Sequence, residues 1–348
     1  LKTIKRFKWW IISGISTLLL LAFFFAPLPY YIETPGGAYD VRSVISVNDK
    51  EDKEKGSYNF VAVKVGRATP AQVVYAWLTP FTEVSSAQET TGGISDADYM
   101  RINQFYMETS QNGAVQEALK LAGKKSSLKY KGVYVLNVNK NSSFKGVLNI
   151  ADTVTGVNGK TFSSSKELIK SVSSLKVGSQ VTVQYISEGQ KKSAKGKIIK
   201  LSNGKNGIGI GLVDHTKVVS DDKIKFSVDG VGGPSAGLMF TLDIYDQLVK
   251  DDLRKGRVIA GTGSIGENGA VGDIGGVSMK VASADKIHAD IFFVPNNPVD
   301  KAVLKENPKA LNNYEEAKKA AKQLGTKMKI VPVKNVKEAV QYLKKTKN

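Results

Sequence analysis

The chain opens on an uncharged run: from Trp9 to Ile32 no residue carries a charge. At about 1.5 Å per residue a helix of this kind spans roughly 30 Å, the thickness of one hydrocarbon core. Trp9 and Trp10 mark one end and Tyr30 and Tyr31 the other, as interfacial aromatics do. The pattern predicts a transmembrane anchor over 9–31. Lys2, Lys5, Arg6 and Lys8 lie before it, in a basic segment over 1–8. Such a flank predicts a cytoplasmic N-terminus and everything after the span outside. A cleaved signal peptide is the rival. The run is long for one, and no A-x-A-like site precedes Pro27 or Pro29.

Past the span the pattern becomes globular. Residues 33–48 read as an extended lead-in, and DKEDKEKG at 49–56 as a solvated turn. YNFVAVKV (58–65) alternates and predicts a strand. TPAQVVYAWLTPF (69–81) predicts a short apolar helix stopped by Pro80, and 83–98 reads as a polar loop. A helix follows over 99–123, closed by Gly123. Between 124 and 205 the texture is β-rich, with strands at 132–138, 153–159 and 180–186. One amphipathic helix at 164–175 places Leu168, Ile169, Val172 and Leu175 on a single face. From 206 strands and helices mix: an apolar helix at 235–249, a second at 277–289, a strand at 291–295, then helices at 313–324 and 335–345 flanking KIVPV. The class predicted is α+β.

Composition narrows the partners. Fifty basic against 32 acidic side chains leave a net charge of +18, which suits polyanionic surroundings. With an anchor in place, these are an anionic membrane or envelope surface, and nucleic acid is not expected. The chain has no cysteine, so disulfides and thiolate metal sites are excluded; no metal is expected. GTGSIG at 261–266 matches G-x-G-x-x-G, but NGAVGDIGG follows it in place of a helix. The dinucleotide reading therefore lacks its context, and no cofactor is expected.

One stretch invites chemistry: DGVGGPSAGLMFTLD, 229–243. The glycines permit a tight turn, and Pro234 suits a helix start. Ser235 then sits where free N–H groups converge, able to hold an oxyanion. The plainer reading is a helix cap. A nucleophilic serine needs a base. His215, in LVDHTK, reads as part of a polar loop, and His288 ends a helix. Lys280 opens the helix VSMKVASA. There the positive helix end and burial both disfavour its ammonium form. Taken alone, it reads better as a snorkelling surface lysine.

The segment Val228–Ala284 resembles the active-site region of the Lon-type serine proteases. The resemblance rests on Gly233-Pro234-Ser235-Ala236-Gly237, on Thr262-Gly263, on Gly269 to Gly276 as G-x-V-x-x-[IV]-G-G, and on Lys280 after it. It implies a Ser–Lys dyad of Ser235 and Lys280, with the Thr262 hydroxyl orienting the lysine. Backbone N–H groups of Gly232, Gly233 and Ser235 would form the oxyanion site. Gly232 stands where the family often carries an aspartate, and Asp229, displaced, is assigned no role. There is no Walker A motif, so no ATP is expected.

The middle of the chain resembles a PDZ domain: NSSFKGVLNIADTVTGVNGKTF follows the bacterial pattern, with Ala151 in place of the usual glycine before Asp152. The resemblance makes Lys131, Gly132, Val133, Tyr134 and Val135 the peptide-binding loop and groove strand. YNFVAVKV and YMETSQNGAVQEALKLAG resemble the first strand and the M-x-E-S-x-x-A helix of the Lon proteolytic domain. The expected organisation is therefore a protease domain in two parts, 32–123 and 206–348, with a PDZ domain (124–205) inserted. As a whole the chain resembles the membrane-anchored PDZ–Lon-like serine proteases of Gram-positive bacteria (the SepM/YlbL type), which in streptococci include a processor of competence pheromone. This implies an ATP-independent endopeptidase acting on exported peptides, such as a quorum-sensing pheromone. The alternatives are a catalytically silent PDZ peptide receptor and an envelope quality-control protease.

Overall fold

Helix α1 (Lys2–Phe25) takes in the basic segment and the uncharged run as far as Phe25, and ends ahead of Pro27 and Pro29. This computed structural model describes residues 2–228, 230–249 and 251–346, with side chains from Lys8 onward. Lys8–Phe25 is long and apolar enough to cross a membrane, and none of it is buried by the rest of the chain. The predicted span over 9–31 is shortened at its far end. Tyr31 lies in a strand, 4% exposed, its hydroxyl bonded to Asp96.

The chain then runs through β1 (Tyr30–Asp40), β2 (Ser57–Arg67), α2 (Pro70–Leu78), β3 (Glu83–Ser86), α3 (Ala87–Thr91) and α4 (Asp96–Leu121). A β-rich middle follows: β4 (Ser126–Val138), β5 (Thr153–Val157), α5 (Ser165–Ser173), β6 (Gln180–Ser187), β7 (Gln190–Lys197) and β8 (Ile210–Ser220). The last stretch holds α6 (Gly237–Val249), β9 (Val258–Gly261), α7 (Val277–Lys286), β10 (Ile291–Pro295), α8 (Lys301–Glu306), α9 (Asn313–Leu324), β11 (Lys329–Val333) and α10 (Val336–Lys345). The mixture of helix and strand bears out the α+β expectation.

Two main sheets organise these elements. A six-stranded sheet has the order β11-β10-β9-β2-β1-β3. β9 pairs parallel with β2 and β10, whereas β1 is antiparallel to both β2 and β3. All five residues of β10 are buried, as expected of a strand covered on both faces. One face packs Tyr58, Phe60 and Phe293 against Leu119 of α4, Leu238 and Leu242 of α6, and Leu343 of α10. The other packs Val61, Phe292 and Val294 against Val277 and Val281 of α7 and Ala317 of α9. Both cores draw on residues before 123 and after 206. A five-stranded sheet, β8-β4-β5-β6-β7, has a separate core of Val133, Phe144, Val154, Leu168, Val183 and Ile198. β4 and β8 pair along their whole length, from Ser126 with Ser220 to Val138 with Ile210.

Several expectations change. The first half of the supposed lead-in at 33–48 belongs to β1, an inner strand. Its Pro35-Gly36-Gly37 looks loop-like but makes a bulge against β2. A Cβ on Gly36 would stand 2.8 Å from Lys64 N, so close backbone approach demands glycine there. The polar loop at 83–98 holds β3, α3 and the start of α4, each helix opened by a serine cap. In the turn at 49–56, Asp52 points inward onto Arg254. Of the apolar face proposed for α5, Leu168 and Val172 are buried but Ile169 is 40% exposed.

Candidate active site

Ser235 lies two residues before α6, in a turn held from both sides. Gly233 has φ +87°, a conformation open to glycine, and its N–H donates to the Asn103 carbonyl of α4 at 2.8 Å. Ser110, also on α4, donates its hydroxyl to Pro234 O at 2.8 Å. From the end of β9, Gly263 N–H donates to Ser235 O at 2.8 Å, and Thr262 Oγ1 donates to the same oxygen at 3.2 Å. The backbone around the serine is thus tied to a helix more than a hundred residues earlier and to a strand end after it.

Lys280 reaches this turn from the first turn of α7, where Gly276, with φ +65°, precedes the helix. Its Nζ stands 3.1 Å from Ser235 Oγ, in hydrogen-bond contact. The side chain is buried, 5% exposed. Burial pushes its pKa down to about 8, against the pull of Glu33 and Glu316, which favour the charged form. Glu33 comes from β1 and Glu316 from α9. Burial holds both carboxyls above the usual range; Glu83, opposite Glu33 in the β1–β3 pair, raises them further. A buried amine with a lowered pKa beside a hydroxyl has the arrangement that a base–nucleophile pair requires.

Two expected roles differ from the geometry. Thr262, fully buried, holds the carbonyl of Ser235, not the Lys280 amine. Gly233 cannot supply an oxyanion donor while its N–H is bonded to Asn103. Gly232 is crowded instead: a Cβ there would stand 2.7 Å from Asn103 Cβ. Among the described residues, no hydrogen bond engages the N–H of Ser235 or Ala236. Asp229 lies outside the described residues. The histidines have other surroundings. His215 lies within β8, not in a loop. It stacks on Tyr134 with ring centroids 3.9 Å apart and bonds Thr153 Oγ1 at 2.9 Å. His288 follows α7 and lines a cleft with Asp285 and Thr326.

Asn103, Ser110, Glu33 and Glu316 were missed by sequence reasoning. Ser110 belongs to the helix motif already quoted. The others carry no local signal, because each acts across the fold.

The expected peptide-binding strand is not an edge strand. Gly132, Val133, Tyr134 and Val135 pair with β8, and Val133 and Tyr134 pair with β5 on the other side. Val135 further exchanges backbone bonds with Ala151 and Asp152. The segment Lys131–Val135 is therefore an inner strand with no open edge for a peptide. β8 is the edge, and α5 lies beside it, with Ser165 N–H donating to Asp214 Oδ1 at 2.9 Å. Ala151 adopts φ +68°, the left-handed conformation of the glycine it replaces.

Comparison with protein families matches residues 107–198 to the PDZ domain and residues 229–345 to the Lon protease (S16) C-terminal proteolytic domain. The chain carries a PDZ domain and a Lon-type proteolytic domain. Ser235, Lys280 and Thr262 all lie within the Lon-type match. The PDZ match begins inside α4, whose residues pack on α6 of the Lon-type part. Among solved structures, the PDZ domain of an SdrC-like protein from Listeria monocytogenes is 36% identical, covering 24% of this chain and 90% of that one, with a TM-score of 0.24. Its counterpart from Listeria innocua is 35% identical, covering 24% and 96%, with a TM-score of 0.23. A solution structure from Geobacillus thermodenitrificans is 24% identical, covering 23% and 95%, with a TM-score of 0.22. No curated protein matches this chain.

Proposed function

We propose that this protein is a membrane-anchored, ATP-independent serine endopeptidase working through a Ser235–Lys280 dyad. The observation that carries the reading is the 3.1 Å contact between Lys280 Nζ and Ser235 Oγ, made by a lysine burial holds near neutrality. Neutral Lys280 takes the Ser235 proton as Oγ bonds to the scissile carbonyl carbon. The N–H groups of Ser235 and Ala236, at the entry to α6, receive the oxyanion. Lys280 returns the proton to the leaving amine, and an acyl-enzyme remains. Lys280 then takes a proton from water as it attacks the ester carbon, and passes that proton to the departing Ser235 Oγ, which restores the neutral amine and the hydroxyl. Thr262, Asn103 and Ser110 act as positioning residues for the turn.

The protease is assembled from 32–123 and 206–348, with the PDZ domain (124–205) inserted; the shared cores of the six-stranded sheet support this. A peptide is captured through the PDZ domain. The cleft between α5 and residues 200–206, lined by Lys166, Lys170, Lys200 and Lys205, suits a carboxylate-bearing end. Helix α1 is the anchor. The basic residues before it put the N-terminus in the cytoplasm and the catalytic part outside. The substrates are then exported peptides, with a competence pheromone the type the resemblance implies.

The test uses the full chain in detergent, exported peptides of varied sequence, and mass spectrometry of the products. Cleavage by the wild type, lost in Ser235→Ala and in Lys280→Ala with the fold intact, is the expected result. Binding without cleavage by the wild type would replace the enzyme with a peptide receptor.

A further inference from the structure

Helix α2 lacks the polar face expected of a surface helix. Its sequence, PAQVVYAWL, holds no charge. Its one amide side chain, Gln72, is used in the capping box with Thr69. No residue of α2 is buried. Val74 is 40% exposed, Tyr75 52%, and Trp77 and Leu78 79% each. A helix apolar all round belongs in a core or in a membrane, and α2 belongs to none of the core clusters.

Its position says what covers it. α2 packs against α1. Leu28 N–H donates to Ala68 O at 2.8 Å, and Ala68 N–H donates to Tyr30 O at 2.9 Å. The chain leaving α1 is thus hydrogen-bonded to the residue two before Pro70, where α2 begins. Phe25, the last residue of α1, is 74% exposed. Apolar surface therefore continues from the spanning helix onto α2. Lys64 and Lys286 line a cleft together with Tyr75, placing positive charge where anionic headgroups would meet it.

We propose that α2 lies in the membrane–water interface beside the point where α1 leaves the bilayer, with Tyr75, Trp77 and Leu78 among lipid headgroups and upper acyl chains. This rests on the reading of α1 as an anchor. Tryptophan and tyrosine favour that depth, an apolar ring with a polar tip. The placement also sets the substrate class. Glu33, whose charge acts on Lys280, follows Phe25 by eight positions. A chain of that length reaches at most about 29 Å. Two attachments, α1 and α2, hold the dyad at this short reach, so the bonds presented to it are those near the membrane surface.

The three tryptophans, Trp9, Trp10 and Trp77, let fluorescence report the two helices separately. Full-length protein is placed in phosphatidylcholine–phosphatidylglycerol vesicles containing lipid brominated high on the acyl chain. Trp77→Phe reads α1 through Trp9 and Trp10. The Trp9→Phe, Trp10→Phe double variant reads α2 through Trp77. Brominated lipid is expected to lower emission of both by about twofold, and aqueous iodide to leave Trp77 nearly unchanged. Trp77 quenched by iodide and not by lipid, while Trp9 and Trp10 answer to lipid, would overturn the proposal and leave the anchor standing. Trp77 shielded from both quenchers would overturn it in favour of a protein partner. Indifference of Trp9 and Trp10 to lipid would mean the anchor reading itself had failed, and the proposal with it.

Discussion

The two ends of α6 each bury a cation, and they treat it in opposite ways. Near the first turn, Lys280 is buried against a neutral hydroxyl, and its carboxylate neighbours Glu33 and Glu316 act without a salt bridge to it among the described residues. Beyond the last turn, Arg254 is 1% exposed and is gripped by Asp52 at 2.6 and 2.8 Å, with Asp246 at 3.6 Å. Burial works against both charges. For Arg254 the Asp52 hydrogen bonds and the nearby carboxylates outweigh it, and the guanidinium is held firmly charged. For Lys280 burial wins, and the amine sits near pH 8. A buried, paired cation holds a structure together; a buried one without a charge partner gives up its proton more readily, and the neutral amine can then take one. The aspartates around Arg254 follow the same logic. Asp52 is pulled below the usual carboxylate range despite burial, whereas Asp243, without a salt bridge to the arginine among the described residues, is pushed up to about 7 by burial.

The sharpest way to break this contrast is to remove the chemistry. Lys280→Ala or Ser235→Ala is expected to lower kcat/KM by about 10⁴-fold or more, measured on a cleaved peptide. A Lys280→Ala enzyme retaining most of its activity would end the dyad assignment. Arg254→Met is the structural counterpart. It strands buried Asp52 and Asp246 without their cation and is expected to cost about 3–5 kcal/mol in urea unfolding. A loss under about 1 kcal/mol would show the cluster to be dispensable.

Lys280→Met should do the opposite to stability. The folded pKa, about 8, lies below the ordinary 10.5. Between these values the unfolded chain binds the extra proton, so wild-type stability rises with pH there. At pH 7 the penalty is on the order of 3 kcal/mol. The methionine variant is expected to be more stable by up to that amount at pH 7, with the advantage fading from about pH 8 to 10.5. Equal stability across that range would mean Lys280 is charged and well solvated. The smallest effect concerns Glu33→Gln. Glu33 favours the ammonium form of Lys280, so its loss should move the acid limb of kcat/KM to lower pH. A limb that stays near pH 8 in this variant would place its origin in another group.

How much of this was readable along the chain depends on how local each feature is. GPSAG and the helix start at Lys280 are short segments whose residue types carry their own meaning, and both ended up touching. The helices read at 313–324 and 335–345 match α9 (Asn313–Leu324) and α10 (Val336–Lys345) to within a residue. β1 shows along the chain only as an extended segment, because nothing local separates a lead-in from an inner strand until β2 is seen pressing on Gly36. The groove strand was misplaced for a related reason. KGVYV has the composition of a strand, but composition is silent on whether an edge is already paired, and β8 returns from more than seventy residues later to pair it.

By itself, then, the sequence determined where many of the helices and strands form, where a helix long and apolar enough to cross a membrane sits, and which serine stands in a glycine turn. Those are consequences of dihedral preference and local hydrophobic period. Only the tertiary structure decided that Lys280 is buried and unpaired while Arg254 is buried and paired, that Asn103 occupies the N–H of Gly233, and that α2 is left bare beside α1. Each of these depends on which distant surface excludes water or supplies a partner, and desolvation and pairing are properties of the assembled fold.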